Sequence, residues 1–156
     1  MDQEHLTEIL SGRVVIACIG NRMRGDDGVG PYVADLIRET DRVRVVDCGE
    51  TPENFLGTIA RLNPEKVVIV DAAYFGGSPG EIRIVGKDEI TGGGASTHDA
   101  ILTVFADYIE AETGAQTFFI AIQPSRTTIG DSMSEDVAEA GKRLAAAINE
   151  IIRSQG

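Results

Sequence analysis

Arg13-Val-Val-Ile-Ala-Cys-Ile-Gly-Asn-Arg-Met-Arg-Gly-Asp-Asp-Gly-Val-Gly30 is the stretch whose reading decides the fold. Its first part is an apolar, β-branched run without alternation, the pattern of a strand buried on both faces. Its second part is a glycine-rich turn. The residues after that turn have helical spacing, with apolar side chains at Val29, Val33, Leu36 and Ile37. A glycine-rich turn between a buried strand and a helix usually cradles a phosphate, because helix N-termini attract anions. Here Asp26 and Asp27 already hold the anion's place. A second anion is repelled and a cation is welcome. The loop therefore reads as a metal or cation site first and a nucleotide site second. Gly25, Gly28 and Gly30 stand where positive φ or close backbone approach is expected, so valine at Gly28 should displace Asp27.

The rest of the chain repeats this alternation. Further strand-like segments cover 43–46, 67–70, 82–85 and 118–122. Helical patterns lie between them. One covers 54–62 behind Thr51-Pro52, an N-cap followed by proline at the first helical position. Another covers 100–109 behind Ser96-Thr-His-Asp99, which fits a capping box. The last covers about 134–152, with Ser132 and Glu135 as its capping box and one stripe formed by Val137, Leu144, Ile148, Ile151 and Ile152. Such alternation predicts an α/β three-layer sandwich, a mostly parallel five-stranded sheet with helices on both faces. The exception is 71–89. There Gly76-Gly-Ser-Pro-Gly80 predicts a sharp reversal into an antiparallel or edge strand. The 156 residues suit a single domain, with 1–12 as an N-terminal helical extension and 13–156 as the functional domain.

Composition narrows the function classes. Apolar residues make up 42% of the chain, ordinary for a globular protein. No apolar run has the length of a membrane span, and the acidic start lacks the features of a signal peptide, so a cytoplasmic location is expected. A net charge of −11 argues against nucleic acid and anionic membranes. The two cysteines, Cys18 and Cys48, form no C-x-x-C pair and read as small buried hydrophobes. H-E-x-x-H and G-K-[ST] motifs are absent, and Gly76-Gly-Ser-Pro-Gly80 matches G-x-S-x-G in letters alone, since it leads into a strand-like segment and not into the helix of a nucleophile elbow.

In open α/β sheets, ligands bind beyond the carboxyl ends of the strands. The polar residues at those ends are Gly20-Asn21 with Asp26 and Asp27, Asp47-Cys48-Gly49-Glu50, Asp71, and Gln123-Pro124-Ser125. His98 joins them at a helix start after Gly92-Gly-Gly94. Each has a plain structural reading as well. Asp47 and Asp71 suit caps of the next turn, Gly20-Asn21 suits turn geometry, and one of Asp26 and Asp27 suits a helix cap. Two carboxylates and one imidazole from different loops on one edge make an oxygen, oxygen, nitrogen set with open positions. That describes a reactive metal site rather than a closed structural one.

These residues resemble the hydrogenase maturation endopeptidases. The likeness rests on the Gly20–Gly30 block, on Val67-Val-Ile-Val-Asp-Ala72, on Ser96-Thr-His98 and on Phe119-Ile-Ala-Ile-Gln-Pro124, and it covers the chain from Arg13 onward. It implies a five-stranded sheet between helices and a nickel-contacting triad of Asp27, Asp71 and His98, with Asp26 as the helix cap. It implies an endopeptidase that removes the C-terminal extension of a nickel–iron hydrogenase large-subunit precursor after nickel insertion, the nickel being supplied by that precursor. Asp26 and Asp47 are further carboxylates able to serve as a base. Two other readings share these residues: a non-catalytic nickel-sensing chaperone for the same precursor, and a small-molecule enzyme that binds phosphate or nucleotide in the glycine loop.

Overall fold

A computed structural model describes residues 1–87 and 97–155, with 97–100 described by backbone alone. Five strands form one sheet: β1 (Val14–Ile19), β2 (Val43–Gly49), β3 (Lys66–Ala72), β4 (Ile82–Gly86) and β5 (Gln116–Ile122). Their order is β2-β1-β3-β5-β4. The parallel pairings follow the expected alternation, with β1 beside β2 and β3, and β3 beside β5. β4 lies at the edge, antiparallel to β5, as the glycine-rich reversal after β3 predicts. The reversal is stitched to the end of β5, because Gly80 N–H donates to Gln123 O at 2.8 Å and Gln123 N–H donates to Glu81 O at 2.9 Å.

Among the described residues five α-helices cover the sheet: α1 (Gln3–Ile9), α2 (Val29–Leu36), α3 (Leu56–Arg61), α4 (Thr97–Thr113) and α5 (Glu135–Ser154). All six residues of β1 are buried. Alternate side chains explain why the run carries no polar residue. Val14, Ile16 and Cys18 enter one apolar cluster with α1, α2 and α5. Val15, Ala17 and Ile19 enter a second cluster with Ile59 of α3 and Leu102, Phe105, Ala106 and Ile109 of α4. Period two on a sheet covered on both faces gives this continuous apolar signature. The stripe expected on the last helix is buried at every one of its positions. Leu6, Ile9 and Leu10 of the N-terminal segment are buried in the first cluster. His5 there stands edge-on to Phe118, with ring centroids 6.4 Å apart.

Three local expectations are corrected. The segment expected to be one helix over 54–62 begins as a 3-10 turn, Pro52–Phe55, and the α-helical part starts only at Leu56. Thr51 precedes that turn without a side-chain capping bond. The last helix is entered at Ser134, not through a Ser132–Glu135 capping box. Ser132 is occupied elsewhere, since its carbonyl and hydroxyl both accept from the Arg126 guanidinium. The capping box expected at Ser96 lies outside the described residues.

Candidate active site

The chain moves outward from β1 to either side of the sheet. β2 lies on one flank and β3 on the other, with α2 and α3 on opposite faces. Such a switch leaves a crevice at the carboxyl ends of β1 and β3. The start of α2 sits directly over this crevice. A Cβ on Gly30 would stand 2.2 Å from Ile19 O and 2.9 Å from Val70 O, so only glycine lets the helix come so close to both strands.

The loop leading there is internally braced. Asn21 Oδ1 accepts Met23 N–H at 2.8 Å, the turn geometry expected of Gly20-Asn21. Arg22 forms a fork with Asp35 of α2, at 2.7 and 2.9 Å, and also reaches Asp47 at the end of β2, at 2.9 Å. These partners raise the Arg22 pKa further above its ordinary value. Asp47 Oδ1 also accepts Gly49 N–H at 3.1 Å, the turn-capping role its position suggests. Asp47 thereby anchors the loop to Arg22 and to its own turn.

The two adjacent aspartates have separate roles. Asp27 lies in a 3-10 turn, Gly25–Gly28, and is half-buried. Its Oδ2 accepts Asn21 N–H at 2.8 Å. Asp26 is fully buried. Its carboxylate does not cap the adjoining α2, as expected of it from the sequence. It accepts Ser125 N–H at 2.7 Å and Arg126 N–H at 3.0 Å from the loop after β5, and Ser134 N–H at 2.7 Å from the entry to α5. The Ser134 hydroxyl bonds it as well, at 2.9 Å. Burial works to raise the Asp26 pKa, but these donors outweigh it and hold the carboxyl below its ordinary value. Both Asp26 oxygens are thus engaged in holding the loop after β5 to the entry of α5. The physical reason for the correction is reach, because the turn aims Asp26 inward under the loop after β5, and the start of α2 has no side-chain cap.

Asp71 is the penultimate residue of β3, at the same edge, and is 4% exposed. It follows Val70, whose carbonyl lies under Gly30. His98 is the second residue of α4, and its side chain lies outside the described residues. The backbone places that helix end. α4 passes through Gly114 and Ala115 into the amino end of β5, and its 17 residues reach about 25 Å back toward the carboxyl edge. Ile101, one turn after His98, borders a surface groove together with Glu50. Glu50 also borders a cleft of about 240 Å³ whose other walls include Gly20, Arg24, Asp27 and Thr127. Among the described residues, no three of His, Cys, Asp and Glu are grouped closely enough to hold a metal ion by themselves.

Several site residues have no direct signature in the sequence. Arg24 stands in the cleft wall with its Nε–H donating to Thr127 O at 3.0 Å. Thr127 itself comes from a loop more than 100 positions away. Gln123 is buried, and its Oε1 accepts Phe75 N–H at 2.9 Å and Gly77 N–H at 3.2 Å, fixing the segment after Asp71. Its place at the end of a strand was the only sign of it. The cysteines are buried as expected, on opposite faces of the sheet. Burial pushes the Cys48 thiol up to about 12 and Cys18 well above its usual value, the state of a protonated, unreactive thiol.

The sequence model of the HycI hydrogenase maturation protease family matches residues 31–151. The hydrogenase 3 maturation protease of Escherichia coli K12 is 35% identical over 129 residues, covering 81% of this chain and 82% of that protein. A putative hydrogenase maturation protease of Methanocaldococcus jannaschii is 29% identical over 150 residues, covering 90% and 88%. Among solved structures, the NiFe hydrogenase maturation protease HycI from Thermococcus kodakarensis KOD1 superposes with a TM-score of 0.89 at 40% identity, covering 96% of this chain and 99% of that one.

Proposed function

This chain belongs to the hydrogenase maturation protease family and is an endopeptidase, and from that premise we propose its substrate and its site. The substrate is the large-subunit precursor of a nickel–iron hydrogenase after nickel insertion, and the bond cut is the one that frees its C-terminal extension. Asp27, Asp71 and His98 contact the nickel carried by that precursor. The observation that supports this reading is their placement. A turn after β1, the end of β3 and the start of α4 come from three distant parts of the sequence and lie toward the carboxyl edge of the sheet, where Asp27 lines a cleft with Arg24 and Glu50.

The donor set fits nickel bound only in part by the protease. Carboxylate and imidazole suit first-row divalent metals, and three ligands leave positions for the precursor's own donors. A buried carboxylate such as Asp71 gains from an approaching cation, because charges interact strongly where water is excluded. When bound, the precursor's nickel would orient the scissile amide and would be able to act as a Lewis acid toward it. The chain's own contribution is positional. Arg22 pins the loop to α2 and β2, Asp26 pins the loop after β5, and both set the walls of the cleft. The enzyme acts in the cytoplasm in this reading, and no helix among the described residues is long and apolar enough to cross a membrane.

The test is to incubate purified nickel-loaded precursor with the protein and to weigh the products. Loss of a C-terminal fragment is expected with nickel-loaded precursor and not with nickel-free precursor. Tight binding with unchanged mass would instead make the protein a nickel-sensing chaperone.

A further inference from the structure

α4 carries an apolar stripe that the other described residues leave exposed. Ile101, Val104 and Tyr108 are 49%, 68% and 47% exposed. They are spaced as one face of the helix, next to buried Phe105. With Leu56 of α3 they line a groove of about 460 Å³, and Glu50 and Glu53 stand at its rim. Scattered exposed apolar residues are ordinary, but a contiguous set in a groove with a charged rim marks a binding surface.

We propose that this groove seats an extended segment of the polypeptide substrate, one that carries apolar side chains beside a lysine or arginine. The inference rests on the endopeptidase reading above and extends it from the cut bond to the substrate that flanks it. Two observations choose this occupant. The first is continuity, since Glu50 walls both the groove and the cleft that contains Asp27. A chain held in the groove therefore reaches a wall of that cleft. The second is charge. Glu50 and Glu53 put negative charge at the groove, on a chain of net charge −11, so a basic residue is favoured next to the apolar ones. An extended segment held by side-chain pockets along a groove adds affinity without touching the scissile bond, and a recognition site of this kind acts on KM more than on kcat.

The experiment compares wild type with Val104→Asp, Ile101→Asp and Glu53→Lys, using nickel-loaded precursor as the probe. All three positions are exposed and outside the cleft, and circular dichroism with thermal unfolding checks that each variant is folded. Val104→Asp and Ile101→Asp should each raise KM about tenfold with kcat within about twofold. Glu53→Lys should raise KM about threefold and weaken its dependence on salt. Unchanged KM in folded Val104→Asp and Ile101→Asp proteins overturns the groove while leaving the endopeptidase reading intact. If wild type leaves the precursor whole, the endopeptidase reading fails, and calorimetric titration with the same precursor then decides the groove. Affinity lost in the variants sustains it, and equal affinity overturns it. Sedimentation of each protein completes the test. A dimer that Val104→Asp splits without any change in KM or affinity assigns the face to a second copy of this chain and overturns the proposal.

Discussion

The main-chain carbonyl oxygen of Asp27 occupies the place where residue 20 would carry a Cβ, 1.9 Å from that position. Residue 20 also has φ +152°, a conformation that side chains rarely adopt. The neighbouring Asn21 N–H is held by the Asp27 carboxylate. The loop thus closes on itself, and the absence of one side chain at Gly20 decides where Asp27 stands.

Gly20→Ala should therefore displace Asp27. Overlap with a fixed backbone costs about 1–3 kcal/mol of stability, and cleavage should fall by more than about tenfold because small misplacements of a reacting group are expensive in rate. Thermal unfolding and precursor cleavage, measured on the same preparation, check both. Wild-type cleavage by a folded Gly20→Ala protein would contradict the proposed role of Asp27. Of the two constraints expected at Gly28, positive φ or close approach, the structure has the second: its φ is an ordinary −80°, and a Cβ there would stand 3.0 Å from Arg22 Cα. Gly28→Val should be milder than Gly20→Ala in both measurements.

The adjacent aspartates should respond oppositely. Asp26→Asn turns an amide N–H₂ toward a cluster of N–H and O–H donors. Stability should drop by about 3 kcal/mol, since hydrogen bonds to a charged buried group are lost and donors are left facing a donor. Asp27→Asn keeps an oxygen for Asn21 N–H, so stability should stay within about 1 kcal/mol. Processing should nevertheless fall by at least about a hundredfold, as loss of a metal-contacting charge exceeds loss of an outer partner. Urea titrations and cleavage assays on the two variants separate the roles. Equal effects on both would undo the division.

Thiol reagents should leave the enzyme untouched. Cys18 and Cys48 are buried, with pKa values raised by burial first, then for Cys18 by the Cys48 thiol and nearby carboxylates, and for Cys48 by Asp47. The thiolate is the reactive form, and it is scarce at neutral pH. Iodoacetamide should modify neither cysteine in the folded protein, and both in urea, as read by mass. Rapid alkylation with loss of cleavage would point to a cysteine nucleophile instead.

Glu110 should give part of the acid sensitivity. It joins α4 to β5 by accepting the hydroxyl and N–H of Thr117, and it pairs with Lys87 at 2.8 Å. Burial acts to raise its pKa, but Lys87 and Thr117 prevail and lower it. A carboxyl with a lowered folded pKa stabilises the fold above its unfolded value of about 4.3 and loses that contribution as pH falls through the folded value. Glu110→Gln should cost roughly 1 kcal/mol near neutral pH. The difference from wild type should shrink as pH drops below about 4. Urea midpoints across that range test the sign, and a gap that widens toward acid would refute it.

Much of this was legible in the sequence for physical reasons. A strand covered on both faces tolerates no polar side chain, so Val14–Ile19 and the run before Asp71 announced themselves. A helix with one buried face shows its period, so α5 was placed by its stripe. The reversal before β4 came from glycine and proline chemistry. Caps were harder to read. Ser132, Thr51 and Asp26 all had plausible local partners, yet Asp26 bonds Ser134, 108 positions away, and the backbone of Ser125 and Arg126.

The sequence by itself determined the alternation of strands and helices, the edge of the sheet on which polar residues gather, and the glycine loop that carries two carboxylates there. These features come from periodicity and backbone sterics, which act over a few residues. Only the tertiary structure decided that Asp26 is an internal staple while Asp27 faces the cleft, that Asp47 belongs to Arg22, and that Arg24, Glu50 and Thr127 line one cleft. Those outcomes depend on which distant backbone groups come within hydrogen-bond reach of a side chain, and chain packing sets that distance where local sequence does not.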